Sequence, residues 1–91
     1  MDTGRIRIFG ERLRVRRQQL GLRQQTLAHD MGAAQGWISE LERGKQTRLE
    51  AETVYRFARA LGCTTDYLMG LTDDPTPPTK RPRPRKAAPV G

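Results

Sequence analysis

The sequence predicts an all-α domain of five short helices followed by a basic, proline-rich tail, and three observations lead to this prediction. Apolar residues recur at helical spacing, as at Val54, Phe57, Ala58 and Leu61, which occupy i, i+3, i+4 and i+7 on one helix face. Glycines separate the helical patterns, and glycine readily adopts the left-handed conformation that ends a helix. All six prolines lie beyond residue 74, where they exclude further helix or sheet.

Length and composition limit the chain to one small domain with short extensions. The 91 residues divide into an N-terminal arm (1–8), a helical domain (9–72) and a disordered Pro/Arg-rich tail (73–91). The single cysteine, Cys63, excludes an intramolecular disulfide and a thiolate metal cluster. No run of about 20 apolar residues is present, so we expect no membrane span. We therefore expect a soluble, cytoplasmic protein.

Positive charge is concentrated in the tail. The net charge is +7, yet residues 1–74 carry 12 Lys and Arg against 10 Asp and Glu. The remaining cations belong to the run KRPRPRK, at Lys80, Arg81, Arg83, Arg85 and Lys86. Basic charge suits a polyanionic partner but also serves solubility. The run is therefore a non-specific DNA hook, a minor-groove reader or a solubilising tail.

The arm and the first helix are predicted from short patterns. Residues 5–8, Arg-Ile-Arg-Ile, alternate charge and apolarity as a half-buried strand does. A frayed terminus, a basic arm on DNA and a strand that pairs with a second subunit all remain open. The first helix is expected from about Phe9 to Leu20, with Phe9, Leu13 and Leu20 on its inner face and Gly21 ending it.

The next two helices form a helix-turn-helix pattern. The second helix, about Gln24–Met31, has Leu27, Ala28 and Met31 on one face, and Gly32 ends it. The third helix, about Gln35–Arg43, directs Ile38 and Leu41 into the core. A small residue at position 28, a glycine four residues later and a branched apolar residue at position 38 are typical of this motif.

At these residues the chain resembles the Cro/C1 repressor (xenobiotic-response-element) helix-turn-helix family, from about Phe9 to Gly70. The matching residues are Leu22-Arg23-Gln24-Gln25-Thr26-Leu27-Ala28, Gly32, Gln35, Ile38-Ser39 and Leu41-Glu42-Arg43-Gly44-Lys45. The resemblance implies a compact five-helix lambda-repressor-like fold and a double-stranded DNA-binding transcription regulator. It also implies a protein that is encoded by a bacterium or a phage and is associated with the nucleoid.

A helical wheel of the third helix predicts the surface that reads DNA. The outward residues are Gly36, Ser39, Glu40 and Arg43, with Gln35 and Trp37 at the flanks. The start of the second motif helix meets base edges, so the Gln35 amide suits adenine or another base edge. Glu40 either accepts from cytosine or pairs with Arg43. Trp37 packs on the second helix or the following loop, contacts a thymine methyl or sugar, or contacts another protein.

The resemblance assigns further roles around this helix. It implies an ion pair between Arg17 and Glu42, and a contact of Gln24 with phosphate or an outer base. It also places the loop from Gly44 to Leu49 on the sugar-phosphate backbone, with cations at Arg43, Lys45 and Arg48. Arg23 and Ala34 replace the Ser or Thr caps of the family. Arg23 adds a cation that faces the expected backbone instead.

The last two helices are predicted to build the core and a dimer interface. The fourth helix runs from about Glu50 to Leu61, Cys63 follows as a buried hydrophobe, and the fifth helix runs from about Asp66 to Met69. The family commonly dimerises at this end. We therefore expect Tyr67, Met69 and Leu71 in a homodimer interface; the alternative is that they, with Leu68, fill the monomer core.

The leading functional prediction is a sequence-specific regulator, most simply a repressor, that binds a pseudo-palindromic operator as a homodimer. The alternative is an antitoxin or another partner-binding protein that uses its tail or arm and regulates its own gene through the motif. No catalytic set is visible, so we expect no enzyme, cofactor or small-molecule ligand. His29 has no ligand partner at suitable spacing, so we expect no metal.

Overall fold

The computed structural model describes residues 2–77, and this part of the chain contains five α-helices and no strand. The helices are α1 (Thr3–Gln19), α2 (Gln24–Met31), α3 (Gln35–Glu42), α4 (Ala51–Leu61) and α5 (Thr65–Leu68). The all-α prediction is confirmed. The run KRPRPRK lies outside the described residues, as does most of the predicted tail.

The core forms where all five helices meet. The rings of Phe9 in α1 and Phe57 in α4 pack edge to face, with centroids 5.8 Å apart. Around them lie the fully buried side chains of Leu13, Leu27, Ile38, Leu41, Leu61 and Leu68. Burying one such side chain contributes about 1.5–3 kcal/mol, so this cluster fixes the positions of the short helices, which would not be stable alone.

Helix α1 begins six residues earlier than the sequence pattern predicted, so residues 3–8 are not an arm. The Asp2 carboxylate caps it by accepting from the Arg5 backbone N–H at 2.8 Å. Ile6 is buried, and it joins Phe9 and Leu13 at i, i+3 and i+7 on the inner face. The alternation at residues 5–8 is therefore the start of a helical stripe, and the strand and frayed-terminus interpretations are wrong.

The other end of α1 corrects a second prediction. Leu20 is 44% exposed and does not belong to the inner face. The helix ends at Gln19, and Gly21 turns the chain with a φ of 69°. The left-handed turn moves the backbone away before Leu20 can reach the core.

The later helices lie close to their predicted bounds. Gly32 and Gly62 cap α2 and α4 in the left-handed conformation, with φ values of 67° and 62°. Neither Arg23 nor Ala34 makes a side-chain cap bond. Helix α5 starts at Thr65 because the Thr64 hydroxyl accepts from the Tyr67 backbone N–H at 3.0 Å. Cys63 is buried, as expected.

Tyr67 is misplaced in the sequence-based interface prediction. It is only 4% exposed, because α1 covers it and the Arg12 guanidinium lies 4.6 Å from the centre of its ring. Met69 is half-buried, whereas Leu71 is 68% exposed. The longer α1 therefore takes Tyr67 into the monomer core and leaves Met69 and Leu71 accessible.

Candidate nucleic-acid interface

Helix α3 presents one polar face to solvent. Gln35, Gly36, Glu40 and Arg43 are exposed and Ser39 is half-buried, whereas Ile38 and Leu41 are buried. This is the distribution that the helical wheel predicted. The exposed face begins at the first helical residue, which is the part of a recognition helix that can reach base edges.

A buried ion pair fixes α3 against α1. The Arg17 Nε atom lies 2.6 Å from Glu42 Oε2, and Arg17 Nη2 lies 3.0 Å from Glu42 Oε1. The side chains are 12% and 3% exposed. Arg17 also donates to the Leu22 carbonyl at 2.8 Å, which ties the turn before α2 to the same point. The hydrogen bond to Glu42 raises the pKa of Arg17 above its ordinary value, so the guanidinium stays charged although it is largely buried.

A chain of side-chain hydrogen bonds leads from this pair to the surface. Gln24 Nε2 donates to Glu42 Oε1 at 3.0 Å, and Gln35 Nε2 donates to Gln24 Oε1 at 3.0 Å. Gln24 thus orients Gln35 within the protein, and its contact with phosphate or an outer base stays a prediction. The single bond that Gln35 donates leaves it one N–H and its carbonyl oxygen for another partner.

Trp37 packs against another ring of the protein, and Glu40 accepts a hydrogen bond from a neighbouring loop. The Trp37 ring is half-buried and lies 5.6 Å from the Phe57 ring, centre to centre. It therefore packs on α4 and against the core, whereas its predicted contact with DNA stays a prediction. Glu40 accepts from Gln46 Nε2 at 2.9 Å, so the loop, and not Arg43, holds its carboxylate.

The predicted backbone-contacting cations surround the face of α3. Arg23, Arg43 and Lys45 are exposed, and none has an ion pair within residues 2–77. Arg48 lies 4.0 Å from Glu50, with both side chains largely exposed, and such a pair is weak. These cations are thus available to phosphates.

A basic cleft adjoins this face between α1 and the end of α3. Its volume is about 390 Å³. It is lined by Arg7, Glu11, Arg14, Glu42, Arg43, Gly44 and Lys45. The sequence pattern included Arg7 only in the alternative of a basic arm on DNA, and it did not single out Arg14. The cleft forms only where α1 packs beside the end of α3.

Gly10 is the point at which α1 contacts the backbone of α3, and the sequence alone did not reveal this role. A Cβ atom at this position would lie 2.2 Å from the Leu41 carbonyl oxygen, so α1 and α3 touch backbone to backbone. Glycine inside a helix costs about 1 kcal/mol relative to alanine. A glycine within a helical pattern can therefore indicate that another backbone passes close to it. The contact sets the depth at which α3 sits on the domain.

Other site types find no support in the described residues. No group of three His, Cys, Asp or Glu side chains within residues 2–77 is placed to hold a metal ion. In the same range, no helix has the length and apolarity needed to cross a membrane.

The exposed helix, its buried anchor and the surrounding cations define a helix-turn-helix DNA-binding protein. A family model described as a helix-turn-helix domain matches residues 8–68. The chain belongs to the Cro/C1-type (xenobiotic-response-element) helix-turn-helix family of transcription regulators, which bind double-stranded DNA.

Two curated relatives carry regulator names. The chain is 37% identical over 62 residues to Repressor protein C2 of Salmonella phage P22, a match that covers 68% of this chain and 28% of that protein. It is 41% identical over 58 residues to an uncharacterized transcriptional regulator in the ATPase CF(0) region of Rhodospirillum rubrum, covering 64% and 53%. This chain thus spans about a quarter of one relative and half of the other.

A solved structure shares most of the described fold. The restriction-modification controller protein C.AhdI from Aeromonas hydrophila superposes with a TM-score of 0.63 and 32% sequence identity. The match covers 69% of this chain and 94% of that one. It supports the helix-turn-helix fold over nearly the full length of that protein.

Proposed function

We propose that this chain is a transcriptional repressor that binds a pseudo-palindromic operator as a homodimer. Helix α3 of each subunit enters a major groove, and the half-sites lie about 10 base pairs apart. The observation that carries the proposal is Gln35, which is exposed at the start of α3 and held there by Gln24. Repression follows when the bound dimer excludes polymerase from the promoter.

Different side chains contact the bases and the phosphates of the DNA. The free N–H and the oxygen of the Gln35 amide match adenine N7 and N6 in the major groove. Arg23, Arg43, Lys45 and Arg48 instead supply contacts to phosphates, which add affinity without sequence information. Glu40 can accept from cytosine N4 when it leaves Gln46.

An apolar depression supports the homodimer. It lies between α4 and α5, has a volume of about 370 Å³ and is lined by Ala51, Val54, Tyr55, Thr65 and Met69. Tyr55 is 51% exposed, and Leu71, two residues after Met69 in the chain, is 68% exposed. A second copy of this surface would remove these side chains from water, as a two-fold interface does.

Selection of random duplex DNA by the purified full chain, with its mass measured in solution, tests the proposal. A dimer that enriches two related half-sites about one helical turn apart is the expected result. A monomer that enriches no sequence would overturn it.

Two single variants then separate the assigned roles. Gln35→Ala should change the preferred base at one position of each half-site, whereas Lys45→Ala should weaken binding to all duplexes by a similar factor. If neither variant changes binding to the best operator, α3 does not dock in this way.

A further inference from the structure

The basic cleft contains more positive charge than the fold uses. Arg7, Arg14, Arg43 and Lys45 line it, and none of them has an ion pair within residues 2–77. Both Glu42 oxygens already accept from Arg17 and Gln24. Glu11 is therefore the one lining carboxylate that can balance the four cations. The excess of positive charge makes the cleft attractive to anions.

The cleft continues the face that reads DNA. Arg43 follows Gly36 and Ser39 at i+7 and i+4, so it lies on the outward stripe of α3 and on the edge of the cleft. On the opposite wall, the Cγ atom of Arg7 would lie 2.9 Å from a Cβ at Gly44. The glycine therefore lets the Arg7 stem pass over the loop after α3.

The spacing of the cations favours a linear polyanion over a small one. Arg7 and Arg14 are seven residues apart in α1, which separates them by about 10 Å along the helix axis. Extended side chains at that separation match two phosphates of a strand better than they match one phosphate. A DNA strand carries one charge per about 3.4 Å of helix axis, so it can present phosphates to each.

We propose that the basic cleft binds phosphates of the operator strand beyond the bases that α3 reads. Helix α1 is then a second backbone-binding element, in which Arg7 and Arg14 act together with Arg43 and Lys45. This inference rests on the proposed function, and it adds affinity and a longer footprint rather than sequence choice.

Salt titration of full-chain variants tests the cleft. Arg14→Gln and the double variant Arg7→Gln/Arg14→Gln keep the side-chain stems and remove the charges. Kd is measured on the selected operator and on a random duplex over a range of salt concentrations. Each lost contact should lower the slope of log K against log salt by about 0.9, and should weaken binding roughly fivefold near 0.15 M salt.

A matched variant controls for the loss of charge alone. Arg59 is exposed on α4, away from the cleft lining, so Arg59→Gln should leave the slope almost unchanged. Phosphate ethylation interference on the operator should lose the outermost positions in the double variant but keep them in Arg59→Gln. Thermal unfolding of each variant confirms that it is folded.

The outcomes distinguish this inference from the proposed function. A double variant with the affinity and slope of Arg59→Gln would overturn the proposal that the cleft binds phosphate, even if the wild-type chain selects an operator. A changed sequence preference would overturn it too, because phosphate contacts carry no sequence information. If the wild-type chain selects no sequence but the double variant loses slope on random duplex, the cleft stands and the repressor proposal fails.

Discussion

Helix α1 carries two sets of arginines in different surroundings. The inward set donates to backbone carbonyls at the ends of other elements or to Glu42, and consists of Arg5, Arg12, Arg16 and Arg17. The outward pair, Arg7 and Arg14, has no ion pair in the described part of the chain and lines the basic cleft. The packing partner, and not the residue type, therefore decides whether an arginine of α1 stabilises the fold or is free to bind an anion.

The largest effect is expected at Arg17. Arg17→Ala leaves the Glu42 carboxylate buried without its cation, and we expect a loss of about 3–5 kcal/mol in the free energy of unfolding. Urea denaturation measures this loss. Arg14→Ala, on the same helix, should change stability by less than about 0.5 kcal/mol. Equal losses in the two variants would remove the distinction between the sets.

Gly10 tests the backbone contact on the inward side of the same helix. Gly10→Ala places a methyl group against the Leu41 carbonyl oxygen, so we expect a loss of about 1–3 kcal/mol. Gly36→Ala is the matched control, because nothing lies within 4 Å of a Cβ there. It should gain up to about 1 kcal/mol from helix propensity. A stabilised Gly10→Ala variant would show that α1 and α3 can separate freely.

Arg12 tests a weaker inward contact. Its guanidinium donates to the Thr72 carbonyl at 2.9 Å and lies over the Tyr67 ring. Arg12→Gln should cost about 1–2 kcal/mol in the free energy of unfolding, through the lost charged hydrogen bond and cation–π contact. Arg14→Gln, with the same change of charge, should cost almost nothing. The pair is compared in one series of urea melts.

The effect that is smallest at neutral pH concerns Cys63 and its neighbour Arg16. Burial raises the pKa of the Cys63 thiol from 9.0 to about 11, although the Arg16 cation opposes the rise. Since the unfolded chain loses this proton first, stability should fall as the pH rises from about 9 to about 11. Cys63→Ala should lack that part of the fall. Equal pH profiles for both chains between pH 9 and 11 would contradict the assignment.

The middle of the fold could be predicted from the sequence because glycines mark its boundaries. Gly32 and Gly62 end α2 and α4, and the apolar stripes between them have clear helical spacing. Both glycines have positive φ in the structure. Glycine caps and apolar spacing are properties of the local sequence and do not depend on tertiary contacts. The existence and type of these helices could therefore be predicted.

The start of α1 could not be predicted with the same certainty. Four residues with alternating polarity fit a strand as well as the first turn of a helix. The Asp2 cap and the burial of Ile6 decide between them. Because α1 was placed too late, Tyr67 was assigned to an interface instead of to the core that α1 covers.

The details of the candidate site depend on contacts across the chain. Helical spacing predicted the outward face of α3, including Gln35 and Glu40. It could not predict that Gln24 would orient Gln35 or that Gln46 would hold Glu40, because loop geometry sets both contacts. The outward arginines of α1 were missed because their cleft exists only once α3 is packed beside them.

The contact between Gly10 and the Leu41 backbone has a consequence for how such proteins diverge. Since main-chain atoms set the depth of α3, we expect substitutions at its outward residues to leave folding almost untouched, whereas substitutions at Gly10 should raise the fraction of unfolded chain that a cell degrades. A duplicated gene for this chain can therefore accumulate changes at Gly36, Ser39 and Glu40 and acquire a new set of DNA targets. Regulators that diverge in this way keep one scaffold and cease to compete for each other's sites.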